Sequence, residues 1–581
     1  MFVSVFKVKL RLMFGMSWFP RVNNKMSTKT HKFIARQRAP RVQIRYPVPL
    51  WARDIQAELP FVIGVISELS GNVGPDFSGL PNRQFFDIDE DNFDSYLSSI
   101  APKLELYVIS PFNSQSRIPI QLSFDSLDDF SPESLYTAIS KLSVTGSHDL
   151  DGLVDYELPN SAIESIINQL LHDVLFQKLE SAWRGLLYLV KNTNPDELVI
   201  IRVMCLSKLE LTKSMLESSE DNIISRMLYD EANNILGGSP FGCLLGDYYF
   251  TNSKNDIQTL FALAKIASSV HAPFLGAVSP EIFQIESWCE MLNPYDLDIS
   301  ESEDYRLMHE LRCSDASQYL CLTMPRIIGR NSYTNYPLPS PVYGTEENNL
   351  FDENIEGGSA NMLWINSAYA MAVNFASSFR KSGWFADICG EHGGGKIQGI
   401  PEHQVEIENC DNKTVRAEFE MTEMREGFLV NLGLCPLSYR KQQDCLYFNY
   451  ANSFHKVNEN LPVDRLVDQT LAARLQYRLS CSRFAHVLMV YNRDRKGTIN
   501  DNAVLQELLQ DWLNQYVDDK KYTKGALKIR AKKPLTNASV VVRMAKQNES
   551  KLRVELSILP RYELAGLSSP LSFTFEVPVF V

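Results

Sequence analysis

Features that mark secreted, zinc-binding or low-complexity proteins are missing from this sequence. Its ten cysteines are scattered between Cys205 and Cys481, with no CxxC pair and no cysteine–histidine cluster at zinc-ligand spacing. This spacing excludes the disulfide scaffold of a small secreted domain and a structural zinc site, so we expect free thiols, no metal and no cofactor. Internal repeats and low-complexity tracts are absent as well.

The first segment, MFVSVFKVKLRLMFGMSWFP, lacks the features of an export signal or a membrane anchor. Lys7, Lys9 and Arg11 interrupt its apolar residues, and no small-residue cleavage site follows. The segment is too short and too charged to span a bilayer, so we expect no membrane insertion. Met26 opens a stretch typical of a cytoplasmic start. We therefore expect an N-terminal extension over residues 1–39, of which residues 1–25 result from a wrongly assigned start codon.

The bulk composition is that of a globular protein, with 45% hydrophobic and 22% charged residues. At 581 residues the chain exceeds what one hydrophobic core usually supports, so we expect two or three domains. The net charge of -13 argues against nucleic acid as a partner, because nucleic-acid-binding domains are basic.

Assembled catalytic motifs are also missing, and no GxSxG nucleophile elbow occurs. The best candidate is GEHGGGK at 390–396, which fits the GxxxxGK pattern of a phosphate-binding loop. Such a loop needs a hydroxyl residue next and a helix behind it, whereas Ile397 follows, and Gly399 and Pro401 disfavour a helix. We expect no enzyme activity. The alternative is a nucleotide-binding enzyme that uses this loop; otherwise the loop is a tight turn or packs on a neighbouring chain.

The histidines do not predict a metal site. His392 and His403 lie near glutamates but share no helical face, and a glycine-rich loop gives no rigid template for ligands. His486 lies in the apolar stretch RFAHVLMV, so we expect a hydrogen-bonded histidine in the core.

Hydrophobic periodicity predicts an α+β fold of mixed sheets and packed helices. The clearest helix signal starts at Ser161, where Ser161 and Glu164 form a capping-box pattern, and extends past Val190. The other predicted helices are 131–143, 256–271, 359–381, 464–495 and 501–517, and the predicted strands are 41–46, 58–67, 118–130, 197–207, 538–544, 552–559 and 571–580.

A basic stretch and many loop aromatics are candidate contact features. Lys520–Lys533 holds seven lysines and arginines in fourteen residues, and Lys528 and Arg530 lie at its centre. The stretch is a patch that faces a tube or a neighbour, or else a solvated loop. Aromatic residues in loops either anchor subunit interfaces or pin loops to their own domain.

Residues 40–145 resemble the small sheath subunit of the bacterial type VI secretion system, the TssB/VipA family. The matching strings are PRVQIRYPV, ELPFVIGVISELSGN, NRQFFDIDEDNFD and LSFDSLDDFSPESL. Residues 161–581 resemble the large sheath subunit, the TssC/VipB family. Here the strings include LLHDVLFQKLESAWRGLLYLV, GGSPFGCLLGDYYF, HAPFLGAVSPEIF, LTMPRIIGR, GWFADICGEHGGGKIQGIPEH and KKPLTNASVVV. The sequence is therefore similar to a natural fusion of both subunits, joined by a linker at 146–160.

The resemblance implies a cytoplasmic structural protein with the contractile-sheath fold. Such a protein forms a helical homopolymer around hexameric tube rings, contacts a baseplate and drives tube ejection by contraction. Neighbouring protomers would exchange strands. The candidate assembly residues lie on the polar face of the first strand and on the last two strands: Arg41, Gln43, Arg45, Leu552, Val554, Leu556, Leu571, Phe573 and Phe575.

The short join is a departure from the separate-chain family. About 15 residues stand where the large subunit carries a longer segment that donates a strand and is read by an AAA+ unfoldase. The fusion fixes one-to-one stoichiometry and raises the effective concentration of both halves. It also weakens the expectation of ordinary strand exchange and unfoldase recycling, and it leaves a baseplate-proximal or non-contracting variant as an alternative.

Overall fold

The structure is a computed structural model that describes most of the chain between residues 41 and 578. The described residues are 41–50, 53–73, 83–111, 113, 115–140, 159–216, 222–233, 235, 237–291, 303–339, 349–355, 361–401, 403–405, 413–440, 445–495, 502–518, 531–544, 551–561 and 568–578. The predictions for residues 1–39, for 146–158 of the linker and for Lys528 and Arg530 lie outside them.

Twenty-one strands are found within the described ranges. They are β1 Arg45–Leu50, β2 Arg53–Glu58, β3 Phe61–Ser67, β4 Phe86–Ile88, β5 Lys103–Ile109, β6 Arg117–Ser123, β7 Val199–Cys205, β8 Phe241–Phe250, β9 Phe274–Val278, β10 Leu320–Met324, β11 Ile327–Ile328, β12 Tyr336–Pro337, β13 Leu350–Phe351, β14 Trp364–Ile365, β15 His403–Val405, β16 Lys413–Val415, β17 Leu434–Arg440, β18 Cys445–Phe448, β19 Leu535–Met544, β20 Lys551–Pro560 and β21 Leu571–Pro578.

Thirteen α-helices are found in the same part of the chain. They are α1 Phe93–Ile100, α2 Pro132–Ser140, α3 Asn160–Leu171, α4 Val174–Thr193, α5 Lys208–Leu216, α6 Ile223–Asn233, α7 Lys254–Ser269, α8 Arg306–Cys313, α9 Ala368–Ser382, α10 Glu423–Asn431, α11 Val463–Ala472, α12 Leu475–Asp494 and α13 Asn502–Asn514.

An eight-stranded mixed sheet organises the fold, in the order β18-β17-β10-β9-β8-β3-β7-β4. Its six inner strands are parallel, whereas β4 and β18 run antiparallel at the two edges. Every residue of β3 is buried. An unbroken apolar strand is expected where both faces of a parallel sheet are covered.

The strand β3 joins the two regions that the sequence separates. It belongs to the part that resembles the small subunit, yet it pairs with β7 and β8 of the part that resembles the large subunit. Within the described residues, Val42–Val581 accordingly belong to one compact unit. The two regions of the chain therefore contribute strands to one shared sheet.

Each face of the large sheet has its own core. Helices α3, α4 and α9 cover one face, together with α1, α2 and the β5–β6 hairpin. Helices α5 to α8 cover the other face. A third core lies between the β19–β20–β21 sheet, the β1–β2 hairpin and helices α12 and α13. This arrangement agrees with the predicted α+β class.

Two of the predicted helices are interrupted. The long helix predicted from Ser161 is α3 followed by α4, because the Asp173 carboxylate accepts hydrogen bonds from the amides of Leu175 and Phe176 and starts a new helix. The predicted capping box is wrong, since α3 begins at Asn160 and Ser161 lies inside it. The helix predicted at 464–495 likewise divides into α11 and α12.

Candidate assembly surfaces

The C-terminal sheet places the predicted strand residues in the core of the protomer itself. On β20, the side chains of Leu552, Val554 and Leu556 are at most 1% exposed. On β21, those of Leu571, Phe573 and Phe575 are 2–4% exposed. Successive side chains of a strand point to opposite faces, and the apolar set here packs in the third core. These six side chains pack the sheet against its helices. A contact with another chain through these strands would therefore use the backbone at a strand edge.

The edge of β19 is closed by glutamines of α13. The amide of Val540 donates to Gln510 Oε1 at 2.9 Å, and Gln510 Nε2 donates to the carbonyl of Ala538 at 3.0 Å. Two residues further along the strand, the amide of Val542 donates to Gln506 Oε1 at 2.9 Å. Side chains therefore occupy the positions that a neighbouring strand would use. The i, i+4 spacing of two glutamines on a helix just before the terminal strands is the only sequence signal for this contact.

The outer edge of β21 pairs with no further strand of the described chain. The strand β20 lies between β19 and β21 and is paired on both sides. At one end of β21, the hydroxyl of Tyr229 donates to the carbonyl of Glu576 at 3.0 Å. The side chains of Ser572 and Thr574 are exposed. The ring of the buried His271 also hydrogen-bonds the backbone of Thr574, so side chains cover part of this edge as well. Unlike the β19 edge, it shows no side-chain hydrogen bond from a strand amide among the described contacts.

The three N-terminal candidates lie just before β1 and at its first residue. Arg41 begins the described segment, and the side chains of Gln43 and Arg45 are exposed. The main chain of Arg45 is fixed, because its carbonyl accepts from Trp512 Nε1 at 2.9 Å and from the Tyr516 hydroxyl at 2.8 Å. Arg45 is thus held on the third core with its side chain facing outward.

The glycine-rich loop at 390–396 uses its amides inside the protein. The amide of Gly390 donates to the carbonyl of Phe448 at 2.8 Å, and that of Gly395 donates to the carbonyl of Gly390 at 2.9 Å. The amide of Phe448 in turn donates to the carbonyl of Gly395. Lys396 is exposed, and no helix follows the loop. The amides of Gly390 and Gly395 are thus engaged within the protein, and the loop packs against β18.

A buried ionic network not anticipated from the sequence links the loop after β11 to α4. Arg330 Nε lies 2.9 Å from Glu180 Oε1, and Arg330 Nη1 lies 2.7 Å from Glu353 Oε2. Arg184 makes a second contact with Glu180, at 2.6 Å. Burial raises the pKa of Glu353, but hydrogen bonds from His172 and Arg330 outweigh it and lower that pKa to about 2. The network ties the loops that carry Arg330 and Glu353 to helix α4.

The buried histidines lie in the core, as expected for His486. Its ring is fully buried and lies with Nε2 3.0 Å from the carbonyl of Val270. Burial lowers the pKa of His486 well below its usual value, and the nearby Arg483 lowers it further. The described ranges hold no group of three or more His, Cys, Asp or Glu side chains arranged for a metal ion. None of the helices described is long and apolar enough to cross a membrane.

Three family models match the chain in order. Residues 34–181 match VipA of the type VI secretion system. Residues 159–455 match VipB, described as the EvpB-type tail sheath N-terminal domain, and residues 465–577 match its tail sheath gpW/gp25-like domain. The VipA and VipB matches overlap over residues 159–181, which comprise α3 and the start of α4.

Two proteins of Pseudomonas aeruginosa are similar to the two parts of the chain. The type VI secretion system sheath protein TssC1 is 38% identical over 421 residues, which are 71% of this chain and 83% of that protein. The sheath protein TssB1 is 34% identical over 159 residues, which are 27% of this chain and 92% of that protein.

Two solved structures match over most of the chain at 8% identity. One is from the baseplate of the anti-feeding prophage, with a TM-score of 0.34 and coverage of 92% of this chain and 97% of that chain. The other is the sheath tail protein Lin1278 of Listeria innocua, with a TM-score of 0.35 and coverage of 90% and 96%.

The matched regions define a structural tail-sheath protein. The chain belongs to the type VI secretion sheath family, and it carries the VipA-type and VipB-type regions in one polypeptide.

Proposed function

We propose that copies of this chain polymerise into a helical sheath around an inner tube of hexameric rings, and that contraction of the sheath ejects the tube. The placement of β3 between β7 and β8 is the observation that supports this proposal most directly. One polypeptide supplies both halves of a shared sheet, so each chain is a complete building block with fixed stoichiometry. The energy for ejection would come from the difference in interface free energy between the extended and contracted lattices.

The β21 edge is our candidate for the contact between protomers. A second copy could add an extended segment to the C-terminal sheet at this edge, which pairs with no further strand of the described chain, and would displace the contacts of Tyr229 and His271 there. Because glutamines of α13 already bond the edge of β19, we expect the added strand at β21. The exposed side chains of Gln43 and Arg45 are a second candidate contact, and Lys528 with Arg530 stays a prediction for the tube or a neighbour.

We further propose that the chain works in the bacterial cytoplasm, contacts a baseplate and has no catalytic activity. The amides of the 390–396 loop are engaged by β18 and by the loop itself, which favours a structural role for the one nucleotide-binding candidate in the sequence. We extend the proposal to the recycling of contracted sheaths by an AAA+ unfoldase. This recycling requires that the short join present a segment that the unfoldase recognises.

Negative-stain electron microscopy of the purified full chain, alone and with its tube protein, tests the proposal. We expect hollow helical cylinders that shorten and widen on contraction. A chain that stays monomeric under all conditions contradicts the proposal. Cylinders that keep one length and diameter contradict contraction and point to the non-contracting variant.

A further inference from the structure

The outer edge of β5, in the β5–β6 hairpin, is closed by two side chains. Asn72 donates to the carbonyl of Glu105 and accepts from its amide, both at 2.9 Å. Further along the strand, Gln169 accepts from the amide of Ile109 at 2.8 Å and donates to its carbonyl at 3.2 Å. The backbone groups of Glu105 and Ile109 therefore point away from β6 and are already satisfied.

The opposite edge of this hairpin, on β6, is open. Residues that lie opposite each other in an antiparallel pair direct their backbone groups either toward each other or both away from the pair. Glu105 lies opposite Gln121, so the backbone groups of Gln121 point outward, and those of Ser123 do so by the alternation of the strand. Neither residue has a backbone hydrogen bond at this edge among the residues that the structure describes. This edge can therefore accept a strand of another chain.

A groove of about 390 Å³ lies beside this open edge. Residues 121–124 line one side, and helix α2 lines the other with Ser134, Leu135, Thr137 and Ala138. Leu135 is buried, whereas Thr137 and Ala138 are exposed. A strand edge beside a groove lets an extended segment bond through its backbone while its alternate side chains enter the groove. The shape of the site therefore favours an extended segment as its occupant.

Acidic side chains surround this groove. Asp129 and Glu133 are among its lining residues, and none of the lining residues described is a lysine or an arginine. The Asp129 carboxylate is already engaged, because it accepts from the amides of Asp125 at 2.7 Å and Ser126 at 2.8 Å. The side chains of Asp125, Asp128 and Glu133 are exposed. Since complementary charges select a partner and fix its register, we expect an occupant that carries lysine or arginine.

The basic stretch Lys520–Lys533 has the charge and the pattern that this groove requires. It holds seven lysines and arginines and no acidic residue. At 526–530 its sequence is ALKIR, in which Leu527 and Ile529 alternate with Lys528 and Arg530. Such alternation is typical of a strand with one apolar face. In an extended form, this segment carries its apolar and its basic side chains on opposite faces.

The ends of this stretch lie on a different core from the groove. The amide of Asp518, just before the stretch, donates to the carbonyl of Leu535, and Leu535 belongs to the third core. The groove lies instead on the core that contains Leu122 and Leu135. Residues 519–530 reach roughly 20 Å if the chain goes out and returns at about 3.4 Å per residue. A segment that starts and ends on the third core and has this reach favours a contact with an adjacent copy.

We propose that the open edge of β6 receives residues 526–530 of a second copy as an added strand, with the basic side chains of that segment near Asp125, Asp128 and Glu133. The inference rests on the proposed sheath assembly and names one of its contacts, on a surface separate from the β21 edge. Of the two contact roles predicted for the basic stretch, it selects the neighbouring protomer over the tube.

Fluorescence anisotropy with a labelled peptide of residues 520–533, added to the full chain below the concentration at which it assembles, tests this inference. We expect a dissociation constant on the order of 100 μM at low salt, since a short peptide loses conformational entropy on binding. High salt should weaken the binding by screening. A peptide of the same composition, with its basic residues grouped at one end, should bind about tenfold more weakly because the alternation is lost. Equal binding of the two peptides overturns the inference.

Variants of the groove separate the backbone contact from the charge contact. Gln121→Pro removes an outward amide and should weaken binding about tenfold, whereas Gln121→Val keeps the amide and should bind like the native chain. Glu133→Lys should also weaken binding. Its matched control is Glu303→Lys, at a side chain that is 83% exposed and outside the groove, which should leave binding unchanged.

Circular dichroism checks that each variant folds, and Glu133→Lys decides alone if Gln121→Pro does not fold. Native affinity in both Gln121→Pro and Glu133→Lys overturns the inference, and so does a native chain that does not bind the peptide. Electron microscopy of the same native chain keeps the two proposals apart. Cylinders without peptide binding leave the sheath function standing and exclude only this contact.

Discussion

Gln510 of α13 occupies the place of a neighbouring strand at Val540 of β19: its amide oxygen accepts from the Val540 amide at 2.9 Å. The same side chain donates to the carbonyl of Ala538 at 3.0 Å, so one glutamine satisfies both a donor and an acceptor of the edge. Exposed strand edges recruit other chains, and covering them with a helix is a common protection. Here the helix also supplies the missing hydrogen bonds.

Replacing Gln506 and Gln510 together by Leu should open this edge. Two amides that lie against the helix then lose their acceptors, which costs about 1–3 kcal/mol each where the group stays buried. We expect a lower free energy of unfolding in urea and more self-association by sedimentation velocity. Glu507→Leu, on the exposed face of the same helix, is the matched control. If the double variant behaves like this control, the glutamines do not protect the edge.

Proline at position 574 should block extension of the sheet at β21. The neighbours Phe573 and Phe575 lie opposite Leu556 and Val554 of β20. Backbone groups alternate in direction along an antiparallel strand, so the Thr574 amide faces away from β20. Thr574→Pro removes that donor, whereas Thr574→Val changes only the side chain. Electron microscopy should show cylinders for Val and none for Pro. Normal cylinders from the Pro variant would exclude the β21 edge.

The Glu353 carboxylate should make the protein sensitive to acid. Its pKa is lowered to about 2 in the folded chain from an ordinary value of 4.5. A lowered pKa contributes stability above the unfolded value, and that contribution is lost as the pH falls from about 5 towards 2. The contribution is on the order of 3 kcal/mol. Urea unfolding at several pH values should show Glu353→Gln less stable at neutral pH, with a shallower acid decline. Parallel pH curves for the two proteins would exclude this role.

Two glycine substitutions should have opposite effects on stability. A Cβ at Gly395 would lie 2.3 Å from the carbonyl oxygen of Phe448 and 2.6 Å from the amide nitrogen of Gly390, and neither backbone group can move freely. We expect Gly395→Ala to destabilise the protein by about 1–3 kcal/mol in urea unfolding. A Cβ at Gly427, within α10, meets nothing within 4 Å, so Gly427→Ala should stabilise by about 0.5–1 kcal/mol. A tolerated Gly395→Ala would show that the loop does not need its close packing on β18.

The sequence predicted those elements whose signal is local. The apolar run of β3, the stripes of α4 and α12, and the three terminal strands follow from periodicity over a few turns or pleats. The break between α3 and α4 at Asp173 was not predicted. It depends on one side chain that caps the second helix, whereas the apolar stripe continues across the break and indicates a single helix. Ile397 and Pro401 argued against a phosphate site in the glycine loop, whereas the bonds between this loop and β18 could not be predicted from the sequence.

Long-range relations were beyond the sequence. Nothing near Phe61–Ser67 indicates that β7 and β8 lie on either side of it, because parallel pairing leaves no mark of register or partner in a fully apolar strand. The network of Glu180, Arg330 and Glu353 likewise depends on three segments far apart in the chain. The six residues of the terminal strands were proposed as assembly contacts from the sequence, and only the third core shows that they share one face and that this face turns inward.

The position of β3 also limits how early the large sheet can close while the chain is being synthesised. Residues 61–67 leave the ribosome well before residues 199–205 and 241–246, which flank them in the finished sheet. Until β8 is synthesised, this buried strand has at least one unpaired edge. Closure of the large sheet therefore waits for residues 241–246, whereas the hairpins β1–β2 and β5–β6 pair strands that are close in the chain. A chain that stops before β8 would leave one edge of a largely apolar strand open to other chains.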